Sequence, residues 1–272
     1  MTEKKRWVLT DTDKGVWMET LVLEGKDMGL PAAARVRVTK KTLRGGLSDG
    51  VDIIEVQNGD LSFSVLPTRG MGIWRGAWQG HSLGWRAPVR GPVHPKFVHP
   101  DERGGLGWLA GFDECIVRCG LESNGSPGKD VIPNNMGDPT VMPLNLHGRI
   151  ANSPAHAVAV EFAPGTRPEI AIVGSVDESA LFYPQFRLNT RISTVIGSSA
   201  FTVADEVVNL KSVESEMELL YHCNFGPPVL GEAARLVVPA FETVPRSTYS
   251  AKDVDGWASY KAPTAGYVEQ CF

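Results

Sequence analysis

The chain has 272 residues, of which 42% are hydrophobic and 21% charged, with 27 Lys and Arg against 31 Asp and Glu. This mild acidity, with only short basic runs near the start and in "TKKTLR", leaves no sign of a nucleic-acid partner. No segment holds the ~18–20 consecutive apolar residues that span a bilayer, and the charged opening "MTEKKRWVLTDTDKG" lacks the apolar stretch of a secretory signal, so a cytoplasmic protein without a membrane partner is expected.

In chain order, apolar residues alternate over short runs more often than they recur at helical spacing, and Gly (29) and Pro (19) punctuate them. The clearest hairpin is "DIIEVQNGDLSFSVLP", where Ile53–Gln57 and Leu61–Leu66 flank Asn58-Gly59, a dipeptide that tolerates the positive φ of a tight turn. Leu61, Phe63 and Val65 then share one face, with Ser62 and Ser64 on the other. A second pair follows in "MGIWRGAWQGHSLGW", turning near Gln79-Gly80. Between Ala87 and Gly148 the pattern dissolves, with only "GGLGWLAGFDECIVRCGL" reading as ordered; irregular stretches of that length carry function in compact domains. Strands return in "HAVAVEF", "EIAIVGSV", "QFRLNTRISTVI", "AFTVADEVVNL" and "MELLYHCNF". In the third of these, Arg187, Asn189 and Arg191 form a polar face that points to a cleft. With no repeat, linker or low-complexity segment, the pattern predicts an all-β fold, a large antiparallel sandwich.

Cys115, Cys119, Cys223 and Cys271 are too few and too irregular for a disulfide scaffold, and "CIVRC" has the wrong gap for a zinc pair, so structural thiols and no metal are expected. A phosphate-binding glycine loop, a nucleophile elbow and a His-Glu-x-x-His motif are all missing, which leaves acid–base chemistry as the main catalytic option. His147 in "PLNLHGRIANSPA" and His222 in "LLYHCNFGPP" are the two proton carriers in suggestive contexts, since imidazole titrates near neutrality. Each also reads as a hydrogen-bonded structural histidine. His222, flanked by Tyr221 and Asn224, precedes a Gly-Pro-Pro strand end, while Gly148 after His147 suggests close approach of a substrate to the backbone. Arg69 and Arg149 offer donors for hydroxyls or a carboxylate, with a structural ion pair at least as common a use of Arg69, and Trp74, Trp78, Trp85 and Trp108 offer stacking faces although most tryptophans are core. Among carboxylates stand Asp113 and Glu114, with Asp205 and Glu206 read as pairing within the sheet.

The segments "LPTRGMGI" (66–73), "CGLESNG" (119–125), "LHGRIANSPA" (146–155) and "LYHCNFGPPVL" (220–230) together resemble the galactose mutarotase-like superfamily, the aldose 1-epimerases, and within it a bacterial branch sharing all four in this order. The resemblance implies a single carbohydrate-binding β-supersandwich over residues 1–272, with the sugar in a cleft on one sheet. It gives His147 the task of orienting the sugar and His222 that of protonating the ring oxygen, with Arg69, Arg149, Asn224, Glu114 and Trp74 around the substrate and no cofactor. In the family a glutamate in a later tract removes the anomeric proton. That tract would follow "VEQCF", so a sequence truncated at its C-terminus is expected, with Glu114 as the carboxylate to stand in otherwise. Arg69 and Arg149 both remain candidates for the family's arginine.

Three functions follow. The first is an isomerase that interconverts sugar anomers, identified by two histidines and a carboxylate converging on one cleft. The second is a sugar-binding or regulatory protein of the same fold. The third is a lyase or hydrolase on modified sugars, which needs two flanking carboxylates or a tyrosine base such as Tyr221. A free sheet edge allows a homodimer.

Overall fold

The computed structural model describes residues 3–272. Its strands are β1 (Lys5–Asp11), β2 (Val16–Trp17), β3 (Leu21–Glu24), β4 (Val36–Thr42), β5 (Asp52–Asn58), β6 (Leu61–Leu66), β7 (Gly72–Trp78), β8 (His81–Ser82), β9 (Ile116–Leu121), β10 (Gly128–Pro133), β11 (Pro139–Leu144), β12 (Ala157–Ala163), β13 (Glu169–Ser179), β14 (Gln185–Val195), β15 (Thr202–Asn209) and β16 (Glu218–Cys223). They form a six-stranded sheet in the order β15-β14-β13-β12-β1-β2 and an eight-stranded sheet in the order β16-β9-β7-β6-β5-β4-β3, with β8 beside β7. Every ladder is antiparallel. The expected all-β sandwich is the observed fold.

The core follows from alternation. Ile54 and Val56 of β5, with Leu61, Phe63 and Val65 of β6, face Val158, Val160, Ile170, Ile172, Leu188 and Ile192 of the other sheet, and all are buried in one cluster. Burying a side chain of this size is worth about 1.5–3 kcal/mol relative to leaving it in water. The opposite face of β14 is polar, as its sequence indicates. Arg187 pairs with Asp177, and Arg191 bridges Glu161 and Glu169. Asn189 and Arg191 help line an open concavity of ≈ 430 Å³ on the outside of that sheet.

Two local expectations change. Asn58 pairs with Leu61, so the two-residue turn is Gly59-Asp60, and Asn58 is the last strand residue rather than a turn residue. Its fully buried amide donates to Thr194 Oγ1 and the Val195 carbonyl, both at 2.8 Å, and accepts from the Gly197 N–H at 2.7 Å, which stitches the two sheets together. Within the stretch expected to be irregular, β10 and β11 pair as a separate hairpin. The β7–β8 turn does sit at Gln79 and Gly80, both at positive φ (50° and 80°), which suits the right-handed twist of the strands.

The chain divides after Asn224. The segment Phe225–Phe272 holds a 3-10 turn at Ser250–Gly256 and backbone bonds such as Leu236 N–H to the Ala258 carbonyl at 2.8 Å and Arg246 N–H to the Cys271 carbonyl at 2.9 Å. No helix among the described residues is long and apolar enough to cross a membrane.

Candidate active site

The pairing of β16 with β9 sets Tyr221 opposite Arg118 and His222 opposite Val117. Because successive strand residues point to opposite faces, the two strands present two distinct sets. Inward, the Arg118 guanidinium reaches across to the other sheet, donating to both Asp205 oxygens at 2.7 and 2.8 Å and to Thr190 Oγ1 at 2.6 Å. Tyr221 Oη donates to the same Asp205 at 2.7 Å. Asp205 therefore pairs between the sheets rather than within one. Burial raises the Asp205 pKa, but Arg118, Thr190 and Tyr221 outweigh it and hold the carboxyl below its ordinary value. Burial first, then the Asp205 contact, pushes the Tyr221 phenol up to about 12. A phenol held this way is a poor base near neutrality, which argues against the tyrosine-based lyase.

Outward, Val117 and Cys119 form the floor of a second apolar cluster with Trp108 and Ala151, edged by Phe112 and Leu146. The His147 and His222 rings meet over it. Their centroids are 5.6 Å apart at 80°, with Trp108 4.8 Å from His147 and Phe112 4.9 Å from His222. Both histidines are half-buried. The Trp108 indole is buried and its Nε1 has no hydrogen-bond partner among the described residues.

The loop that delivers His147 is fixed by its own backbone. Gly120 N–H donates to the His147 carbonyl at 3.0 Å, Arg149 N–H to the Gly120 carbonyl at 2.9 Å, and His147 N–H to the Gly125 carbonyl at 2.9 Å. His147 and Gly148 both lie at positive φ (59° and 69°). A Cβ on Gly148 would stand 2.3 Å from the Ser123 carbonyl oxygen and 2.4 Å from that of Gly120. The glycine therefore admits this chain's own backbone, not a substrate as the sequence suggested. The other motifs join the same knot. Gly70 N–H donates to the Ser153 carbonyl at 2.9 Å, and a Cβ there would stand 2.3 Å from the Ile150 oxygen.

The remaining sequence candidates fall around this pair. Arg69 and Glu114 are closed in a buried ion pair at 2.5 Å, their side chains 1% and 0% exposed. Arg69 also donates to the Val93 and Gly111 carbonyls and to Asn152 Oδ1, at 2.9–3.0 Å, so it clamps the covering loops onto the β6–β7 turn. Glu114 thus has no exposed oxygen to offer an anomeric hydroxyl in this arrangement. Asn224 donates to the Glu114 carbonyl at 2.9 Å and ties down the end of β16. Trp74 donates to Asp113 Oδ2 at 2.6 Å, with the Arg75 guanidinium 3.9 Å above its ring. Arg149 is exposed. Cys115 and Cys119 are free thiols that burial pushes to about 11 and about 12, inert as nucleophiles. Phe112 and Asn124 were not singled out by the sequence. Phe112 reads there as an ordinary core residue, and Asn124 in "ESNG" reads as a turn.

A family model described as a domain of unknown function, DUF4432, matches residues 48–272. No curated protein matches the chain in sequence. The solved structure of a "putative aldose 1-epimerase" from Klebsiella pneumoniae subsp. pneumoniae MGH 78578 is similar to it with a TM-score of 0.89 and 32% identity, over 98% of this chain and 67% of that one. That likeness marks the sandwich as a galactose mutarotase-like fold.

Proposed function

The chain belongs to the DUF4432 family, and from that membership, the epimerase-like fold and the paired imidazoles we propose that it is an aldose 1-epimerase-like isomerase interconverting the anomers of a sugar. The observation that carries the reading is the meeting of the His147 and His222 rings, 5.6 Å apart, on the outer face of the eight-stranded sheet. Mutarotation requires one group to protonate the ring oxygen while another removes the proton from the anomeric hydroxyl. Two imidazoles, one charged and one neutral, suit both tasks near neutral pH.

In this reading His222 as imidazolium gives its proton to the ring oxygen. To His147 we assign the removal of the proton of the anomeric hydroxyl, in place of the orienting role that the resemblance implies, and Glu114, closed against Arg69, does not take it. The bond from C1 to the ring oxygen breaks, the C1 carbonyl forms, and the open-chain aldehyde rotates about C1–C2. Ring closure on the other carbonyl face returns both protons. The reaction is neutral in electrons and protons, so its balance requires no redox partner. Half-buried Phe112 offers an apolar surface for the C–H face of a sugar ring, while the buried Trp108 backs the His147 imidazole from below.

The test is saturation-transfer NMR between α and β anomer signals on a panel of free aldoses, with and without protein. Accelerated exchange supports the isomerase. Binding without acceleration favours a sugar-binding role on the same fold, and neither binding nor acceleration on any aldose overturns the reading.

A further inference from the structure

We infer that Asn124 is a positioning residue that fixes the His147 imidazole in its Nδ1–H tautomer. The inference deepens the reading above and rests on it for its catalytic meaning. Asn124 lies in the turn that leaves β9, and three contacts hold that turn. Its backbone N–H donates to Glu218 Oε2 at 2.6 Å, and Glu218 is the first residue of β16, the strand of His222. The Gly125 carbonyl accepts the His147 N–H at 2.9 Å. Finally, Asn124 Oδ1 lies 3.2 Å from His147 Nδ1.

The last contact decides the chemistry. An amide oxygen only accepts, so the contact is a hydrogen bond only when Nδ1 carries the hydrogen. A neutral imidazole has one ring hydrogen, so Nε2 then holds the lone pair, which is the form a proton acceptor needs. Glu218 fixes the backbone that carries the amide, and the same segment is held on its other side where Leu121 and Glu122 N–H groups donate to the buried Glu178 at 2.9–3.2 Å. Both histidines are thus referred to one scaffold, His222 through β16 and His147 through Asn124.

The experiment is a two-bond proton–nitrogen NMR spectrum of the full chain labelled with 15N-histidine, recorded above the imidazole titration and assigned with His147→Gln. The expected wild-type pattern has a protonated Nδ1 and a bare Nε2 on His147. Asn124→Ala moves the ring toward the Nε2–H form, and Asn124→Asp, which keeps an acceptor oxygen, restores the Nδ1–H pattern. If anomer exchange is catalysed, Asn124→Ala lowers its kcat about tenfold with little change in KM, the scale of one lost hydrogen bond. An Nε2–H wild-type ring, or a pattern unchanged in Asn124→Ala, overturns the inference even if exchange is fast. An Nδ1–H ring that Asn124→Ala disturbs, with no exchange on any aldose, supports the tautomer assignment and overturns only the proposed reaction.

Discussion

Strands β9 and β16 carry two polar assemblies on opposite faces, and the two are built to different rules. Inward, the Arg118 and Asp205 side chains are each 1% exposed, and Thr190, Tyr221 and the Met71 carbonyl complete their hydrogen bonds. Outward, His147 and His222 are half-buried and lie against aromatic rings. The buried side-chain atoms that lack a partner among the described residues, Trp108 Nε1, Asp113 Oδ1 and Asn152 Nδ2, all belong to the layer of loops covering this outer face. A saturated buried network holds a structure in one state, whereas the half-buried imidazoles keep one side open to solvent. Two residues adjacent in sequence, Tyr221 and His222, therefore belong to different assemblies, one closed between the sheets and one set against the aromatic rings of the outer face.

The sharpest way to break the comparison is Arg118→Leu. It leaves Asp205 charged, buried and unmatched, and should cost about 3–5 kcal/mol, read as a lower urea midpoint at an unchanged slope. Asp205 is held below its ordinary pKa in the folded state, so its contribution is present above about pH 4 and fades as the pH falls through the folded value. In Arg118→Leu burial prevails, and this acid-side loss should disappear. Tyr221→Phe removes one bond from the same network and should cost about 1 kcal/mol.

On the outer face the order of effects reverses. His147→Ala and His222→Ala should each slow anomer exchange by roughly 10² or more, while their urea midpoints move far less than that of Arg118→Leu. Unchanged turnover in both variants would remove the isomerase reading, and a collapse in stability equal to that of Arg118→Leu would erase the distinction between the faces.

The sandwich is legible in the sequence because alternation is local, and His147 and His222 stand out there by their motif contexts, while the meeting of their rings is visible only in the structure. The role of Asn58 is not legible either, since Thr194 lies 136 positions away and the nearby "NG" is a strong turn signal. For Arg69 the sequence leaves a ligand contact and a structural ion pair both open, because a charge among glycines looks the same whether it lines a cleft or closes on a counter-ion; the 2.5 Å contact with Glu114 across 45 positions gives the ion pair. Gly148 was rightly marked as a close approach, but the partner is the chain's own turn. The β10–β11 hairpin hides behind Pro133 and Pro139 at the ends of its strands, which read as loop punctuation.

The smallest expected effect tests the outer layer away from the histidines. A Cβ on Gly91 would stand 2.2–2.6 Å from the Asp113 carboxyl, so the loop lies directly on that group. Burial, and secondarily the nearby Glu114, raises the Asp113 pKa to about 6, against the opposing bond from Trp74. The folded state therefore binds this proton more tightly than the unfolded chain, whose value is near 3.8. Stability from this group is full below about pH 4, falls as the pH rises toward 6, and stays at the lower level above that. This runs opposite to Asp205, so acidification from pH 7 to 5 should strengthen the outer layer before it weakens the inner pair. Asp113→Asn should remove the dependence between pH 4 and 6. At pH 7 it should gain on the order of 1 kcal/mol, limited by the buried amide hydrogen it introduces where Oδ1 has no partner. Urea unfolding at pH 5 and pH 7 measures this directly. A wild-type protein no less stable at pH 7 than the variant would mean that the covering loops open enough to solvate Asp113, and that the outer face is looser than its buried side chains indicate.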